Sequence, residues 1–462
     1  MSTSLLSRLI EPGPKVPRPK QLYTNDRLRA MIVPLLIEQL LQVVVGIADT
    51  LMVSYAGEAT VSGVSLDTML YTIFLYLFTA IATGGAVIVS QYLGSGRRDK
   101  ADLAGSQIFH IALVFSLSCM AAMLLFGPWV LRTLYPGVES AVMEACRTYL
   151  WIVTLSFPAN AVYNAGAALF RSMGRTRVTM RVSMAMNLIN VVGNAIGIFV
   201  LHAGAAGVAW PTTIAWYFAA VTMSALCLRK ENAVSLRPAL SARLHGAMAK
   251  KILRIAVPGS IENGLFQLAK VVLGSLIATF GTSQIAANGI GQTIWSFAAL
   301  MGVAISPVYI TVIGQCMGAG DADGAAYYMH KLTRLALVLS AAWNALVLLM
   351  LPAILPLYDI SAETRRLIWI IVVIHNLFAA FVQPFSMPLS AGLRAAGDVR
   401  FTMLASIFCT VVLRTALSFL LGLHLGLGVI GIALAMGLDW CCKAALDIFR
   451  FRSGKWKSIR LI

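Results

Sequence analysis

Apolar runs of eighteen or more residues recur along the whole chain, separated by short polar links, and each run is long enough to cross a hydrocarbon core. Inside a bilayer the backbone must satisfy its own hydrogen bonds, so only helices and closed barrels can span it. The short alternating segments of a barrel are absent. The pattern predicts an all-α integral membrane protein with twelve transmembrane helices. They fall over 31–54, 61–92, 103–126, 142–168, 179–201, 207–228, 253–279, 285–316, 328–351, 367–392, 402–424 and 429–449. Links at 55–60, 202–206, 280–284 and 425–428 are short enough to force antiparallel neighbours. The one long polar connection is 229–252.

The first run, Met31–Gly57, has a second copy. A shift of 224 residues pairs Val33-Pro34 with Val257-Pro258, Ile37-Glu38 with Ile261-Glu262, and Gly57 with Gly281. The same shift pairs Gln91, Gly94 and Gly96 with Gln315, Gly318 and Gly320. Later in each copy Arg171, Gly174, Arg177 and Thr179 align with Arg394, Gly397, Arg400 and Thr402. Six helices per copy is an even number, so the copies start on one face and are related by a pseudo-twofold along the membrane normal. The expected organisation is a basic cytoplasmic tail (1–30), a first lobe (31–228), a linker (229–252), a second lobe (253–450) and a second basic tail (451–462). Such a chain is expected to bind between lobes near the midplane and to alternate access by rocking them.

Composition agrees: 59% of residues are hydrophobic and 12% charged, with mean hydropathy +0.80, whereas a soluble domain carries about twice that charge. The net charge of +17 invites a nucleic-acid reading until its placement is considered. With alternating spans, 29 of the 36 Lys and Arg fall on one side, Arg132, Arg147, Arg365 and Arg366 on the other, and Lys270, Arg414 and Lys443 within spans. That is the positive-inside bias, so both termini are expected in the cytoplasm of a plasma (inner) membrane protein. The expected contacts are lipid and a small-molecule substrate, not nucleic acid, for a monomer without cofactor. No removed signal peptide is expected, and residues 11–20 favour an extended tail. The seven cysteines lie in apolar stretches without CxxC and read as packing residues.

An ionised side chain at the bilayer centre costs at least about 2.5–3.5 kcal/mol, so each retained one needs a reason. Glu38 and Asp49 are three turns apart on one face of the first helix, roughly 16 Å along its axis. Gln42 and Gly46 share that stripe, which suits a wet cavity rather than lipid. Glu262 opens the seventh helix, followed by Asn263, Gln267 and Lys270; Glu262 and Lys270 are too far apart for a direct ion pair. In the fifth helix Asn187, Asn190 and Asn194 share a face, and Thr212 and Thr213 follow Pro211 in the sixth. Amide oxygens suit Na⁺, and amides also join helices. The second copy has Leu413, Leu417, Met436 and Gly437 at the positions of Asn190, Asn194, Thr212 and Thr213, so this cluster belongs to the first lobe. Asp67 and His110 could extend a proton route or serve structure. Arg414, Asp439, Lys443 and Asp447 suffice to neutralise one another. Enzyme motifs (HExxH, DDxxD, GxSxG) are absent and no enzyme is expected.

Together these residues resemble the multidrug and toxic compound extrusion family, MATE, of the MOP flippase superfamily. The likeness spans about residues 25–450 and rests on Pro34 and Gly46-Ile-Ala-Asp49-Thr, Gln91 with Gly94-x-Gly96, Leu169-Phe-Arg171-x-x-Gly174, Gly204-x-x-Gly207 and Glu262. It implies two lobes of six helices and cation-coupled export of organic, often cationic, compounds. By that match Asp49, Asn190, Asn194 and Thr212 would form the first-lobe cation site, with Na⁺ as a candidate ion, and Glu262 the second-lobe carboxylate. The family's usual aspartate is replaced here by Asn194, and residues 368–392 carry no acid.

The expected mechanism is antiport: an incoming H⁺ or Na⁺ takes Asp49, with Glu38 and Glu262 as further acids, and displaces the substrate. Gln42, Asn187, Gln267, Lys270 and Asp67 are expected to line the substrate cavity. A flippase for a lipid-linked anionic precursor is the alternative; a membrane transferase or a channel fits less well.

Overall fold

The computed structural model describes residues 11, 23–236, 244–357 and 360–462. Most of the basic tail and residues 237–243 of the linker lie outside them. The chain forms two compact units: Val33–Ser260, and Met1–Ile32 together with Ile261–Ile462. The division falls inside a helix rather than in the 229–252 connection. That connection docks on the first unit: the Ser235 amide donates to Asp102 Oδ1 at 2.9 Å and the His245 amide to Gln107 Oε1 at 2.9 Å.

The first unit holds most of α1 (Asn25–Ser54), then α2 (Glu58–Gly94), α3 (Arg98–Leu134), α4 (Ser140–Thr154), α5 (Phe157–Ser172), α6 (Thr176–Ala195) and α7 (Ala206–Cys227). Its centre is α2, which packs against α3, α4 and α5, while α7 lies along α5 and α6. The fourth passage is broken at Leu155–Ser156, where Pro158 in the next turn supplies no amide donor.

The second unit repeats the plan. α8 (Gly246–Ala278) enters it, and α9 (Thr282–Ala298) and α10 (Leu300–Gly318) together take the place of α2. α11 (Ala322–Ile354) follows, then a passage in three pieces, α12 (Ala362–Phe381), α13 (Gln383–Ser386) and α14 (Pro388–Ala396), broken before Pro384 and Pro388. α15 (Val399–Ser406) and α16 (Arg414–Ser418) are joined and followed by wider π turns, and α17 (Gly428–Arg452) closes the bundle. α9 packs on α12 and α10 on α14, as α2 does on α4 and α5. Gly57 and Gly281, one repeat apart, both turn with φ +97, which only glycine adopts cheaply.

The described residues thus make twelve helical passages, ten of them long and apolar enough to cross a membrane by length and composition alone. The other two are the broken α4–α5 pair and α7, whose hydropathy is diluted by Trp210, Pro211, Thr212, Thr213, Trp216 and Tyr217.

Candidate functional site

The first-unit site is set by how closely α6 and the start of α7 cross. A Cβ built on Gly197 would stand 2.0 Å from the Gly207 carbonyl oxygen, and one on Gly193 would stand 2.6 Å from Pro211 Cβ. Only glycine permits that approach, and it carries Asn190 and Asn194 up to Thr212. Asp49 completes the group from α1. The Asn194 amide nitrogen donates to Asp49 Oδ1 at 2.9 Å. The far end of the Asn190 side chain lies 3.1 Å from both Asp49 oxygens, and its other end 3.0 Å from Thr212 Oγ1.

The Asn190 amide nitrogen donates to both Asp49 oxygens, and its oxygen accepts from the Thr212 hydroxyl. The Asn194 carbonyl oxygen is buried without a partner, a cost of about 1–3 kcal/mol unless something is supplied to it. One carboxylate, two amides and a hydroxyl are hard oxygen donors, suited to H⁺ or Na⁺ and unsuited to a soft transition metal. Among the described residues no three His, Cys, Asp or Glu side chains converge on a metal position. Four residues that the sequence placed together therefore do meet.

Glu38 does not join them. It is 3% exposed, accepting from Arg171 Nη2 at 2.7 Å and from the Thr179 hydroxyl at 3.1 Å. The expected cation role of Glu38 gives way to an ion pair, because its side chain points at Arg171 near the end of α5 and Thr179 near the start of α6. Glu262 repeats this one copy later: Arg394 Nη1 stands 3.1 Å from Oε2, and Lys443 Nζ 3.7 Å from Oε1. Two positive partners leave Glu262 little charge for an incoming cation. Sequence reasoning missed Arg171 and Arg394 as partners, counting them as cytoplasmic surface charges. The signal was present, since both acids and both arginines recur in the repeat.

The expected cavity residues scatter. Asp67 is 1% exposed, takes the Cys146 thiol at 3.5 Å, and is sealed between α2 and α4, so it lines no cavity. Asn187 is buried with its amide nitrogen unpartnered. Gln42 and Lys270 are exposed and Gln267 half-buried. His110 bonds back to the Ser106 carbonyl in its own helix at 2.9 Å. Mutual neutralisation holds for one pair, Arg414 on α16 with Asp439 on α17. Lys443 turns to Glu262, and both Asp447 oxygens are buried without a partner. An open cleft of about 750 Å³ on α7, lined by Trp210, Ile214, Tyr217, Phe218 and Val221, holds no charged residue and suits an acyl chain.

Comparison with known proteins agrees with this architecture. The MatE family model matches residues 34–196 and 248–420. The "Uncharacterized transporter YisQ" of Bacillus subtilis is 29% identical over 433 residues, covering 92% of this chain and 93% of that protein. The "Probable multidrug resistance protein NorM" of Thermotoga maritima is 22% identical over 441 residues, covering 94% and 93%. Among solved structures, a MOP superfamily transporter from Pyrococcus furiosus aligns with TM-score 0.86 at 18% identity over 98% of both chains; the reverse polarity of its binding pocket suggests a different function for that protein. An outward-facing multidrug resistance MATE family transporter aligns with TM-score 0.84 at 19% identity, covering 92% and 94%. At these identities the structures establish the fold alone. With most of both repeats matched by one family model and the fold shared, the chain belongs to the MatE family and is a multi-pass membrane transporter of the MATE type.

Proposed function

We propose that this transporter is an ion-coupled antiporter that exports organic compounds from the cytoplasm across the plasma membrane, with Asp49 as the acid that the driving ion occupies. The observation that carries this reading is the arrangement around Asp49. Its carboxylate accepts from the amide nitrogens of Asn194 and Asn190, and the Asn194 carbonyl oxygen is buried without a partner. An ion arriving from outside neutralises Asp49 and removes the negative charge that a cationic substrate needs. Exclusive occupancy of one charge makes the exchange obligatory. Each inward elementary charge adds about 2.3 kcal/mol per 100 mV to the driving force. The excess of basic residues on one side supports cytoplasmic termini.

Glu38 and Glu262 act in this scheme as buried anchors for the cytoplasmic ends of their units. The test is accumulation of ethidium, an organic cation, in cells that lack other pumps. Cells carrying the wild-type chain are expected to exclude the dye, and Asp49→Asn cells to fill like an empty vector. Exclusion by Asp49→Asn at the wild-type rate would remove Asp49 from the mechanism.

A further inference from the structure

The second unit carries charges that its sister copy lacks. Lys270, Arg414 and Asp439 stand where the first copy has Gly46, Val191 and Ala215, and Phe266 stands where it has Gln42. These residues come together. Lys270 Nζ lies 4.9 Å from the centroid of the Phe266 ring and Arg414 Cζ 5.5 Å from the same centroid. Arg414 is 6% exposed and paired with Asp439, itself 0% exposed. His375, on α12 and within the field of Arg414, is buried with Nδ1 unpartnered. The cluster therefore holds two fixed cations and one acid, and Lys270 has no carboxylate within 4 Å among the described residues.

A lysine in a membrane helix ordinarily snorkels toward the nearer interface. Lys270 sits eight residues before the end of α8 at Ala278, about 12 Å of helix. Its ammonium lies over Phe266, one turn earlier on the same face of the helix. Two like charges gathered on one aromatic ring repel each other. An exposed ammonium and a buried guanidinium beside an aromatic face match an acidic group carried on an apolar body.

We propose that the second unit contains an intramembrane anion site, built by Lys270, Arg414 and Phe266, that takes the carboxylate or sulfonate of an amphiphilic organic molecule or the phosphate of a lipid headgroup. Lys270 supplies the exposed contact, Arg414 the fixed charge held in place by Asp439, and Phe266 the apolar platform between them. The inference rests on the transporter reading but not on Asp49. It widens the substrate class from organic cations to molecules with an acidic group.

The test uses the full chain in nanodiscs of zwitterionic lipid, with carboxyfluorescein as the anionic probe read by anisotropy and ethidium as the cationic control. Wild-type protein is expected to bind carboxyfluorescein, Lys270→Gln to bind it about tenfold more weakly, as for loss of one charge-assisted bond, and Lys270→Arg to retain binding. Ethidium binding should be unchanged in both variants, which confirms their fold; Lys270 is exposed, so neither change disturbs packing. Asp49→Asn is expected to bind carboxyfluorescein as wild type does, so failure of antiport and failure of the anion site are read separately. Repeating the titration in phosphatidylglycerol nanodiscs separates the sources: lost binding assigns the site to the headgroup, retained binding to a free solute. No binding by wild type, or equal binding by Lys270→Gln, overturns the proposal.

Discussion

Replacing Arg171 by Met tests whether Glu38 is an anchor or an ion site. Glu38 is nearly inaccessible, and its two polar partners in α5 and α6 are Arg171 at 2.7 Å and the Thr179 hydroxyl at 3.1 Å. Arg171→Met leaves a buried carboxylate with one neutral donor, a change that costs about 3–5 kcal/mol when one partner of a buried pair is removed. For a unit of this size that is a fall in melting temperature on the order of 10 °C. Arg394→Met makes the equivalent change in the second unit and should cost less. Glu262 keeps Lys443 at 3.7 Å, and its side chain is 16% exposed against 4% for Glu38. The double variant Glu38→Gln/Arg171→Met removes both charges and should recover most of the loss. The assay is thermal unfolding of the purified protein in one detergent, followed by the fraction that still elutes as a monodisperse peak. Arg171→Met melting with wild type, Arg394→Met proving worse, or a double variant no better than the single would refute the reasoning.

Gly197→Ala should place a methyl group against the Gly207 carbonyl, costing about 1–3 kcal/mol of overpacking and pulling Asn194 off Asp49; ethidium efflux is lost in protein that still reaches the membrane. Gly46→Ala, with nothing within 4 Å of its Cβ, should melt as wild type does. Asn194→Asp adds a second carboxylate beside Asp49, and transport by that variant should become stimulated by Na⁺ in a proteoliposome flux assay. An Asn194→Asp variant indifferent to Na⁺ would exclude Na⁺ at this position.

The twelve passages and their duplication were legible because lipid tolerates few alternatives: each span must be helical, apolar and about twenty residues long. Helix ends were less legible. α1 begins at Asn25 and α3 runs to Leu134, since a helix need not stop where its hydrophobic stretch does. The breaks in α4–α5 and α12–α14 depend on how Pro158, Pro384 and Pro388 pack, which periodicity does not report. Spacing put Asn187, Asn190 and Asn194 on one helix face and the repeat confined them with Thr212 to the first copy, but their grouping with Asp49 came from the family resemblance. Glu38 was misplaced for the converse reason. Sharing a stripe with Asp49 says nothing about which neighbouring helix covers each end of that stripe, and Arg171 covers one end while Asn194 covers the other. The approach of Lys443 to Glu262 likewise depends on where the fold brings the two side chains, not on spacing along either helix.

The most direct test of Asp49 as the coupled acid is dye flux in proteoliposomes with H⁺ and Na⁺ gradients imposed separately. Wild-type protein is expected to move ethidium against its gradient when at least one ion gradient is present, and Asp49→Asn to move none under either. Gradient-driven transport by Asp49→Asn at the wild-type rate would contradict the account.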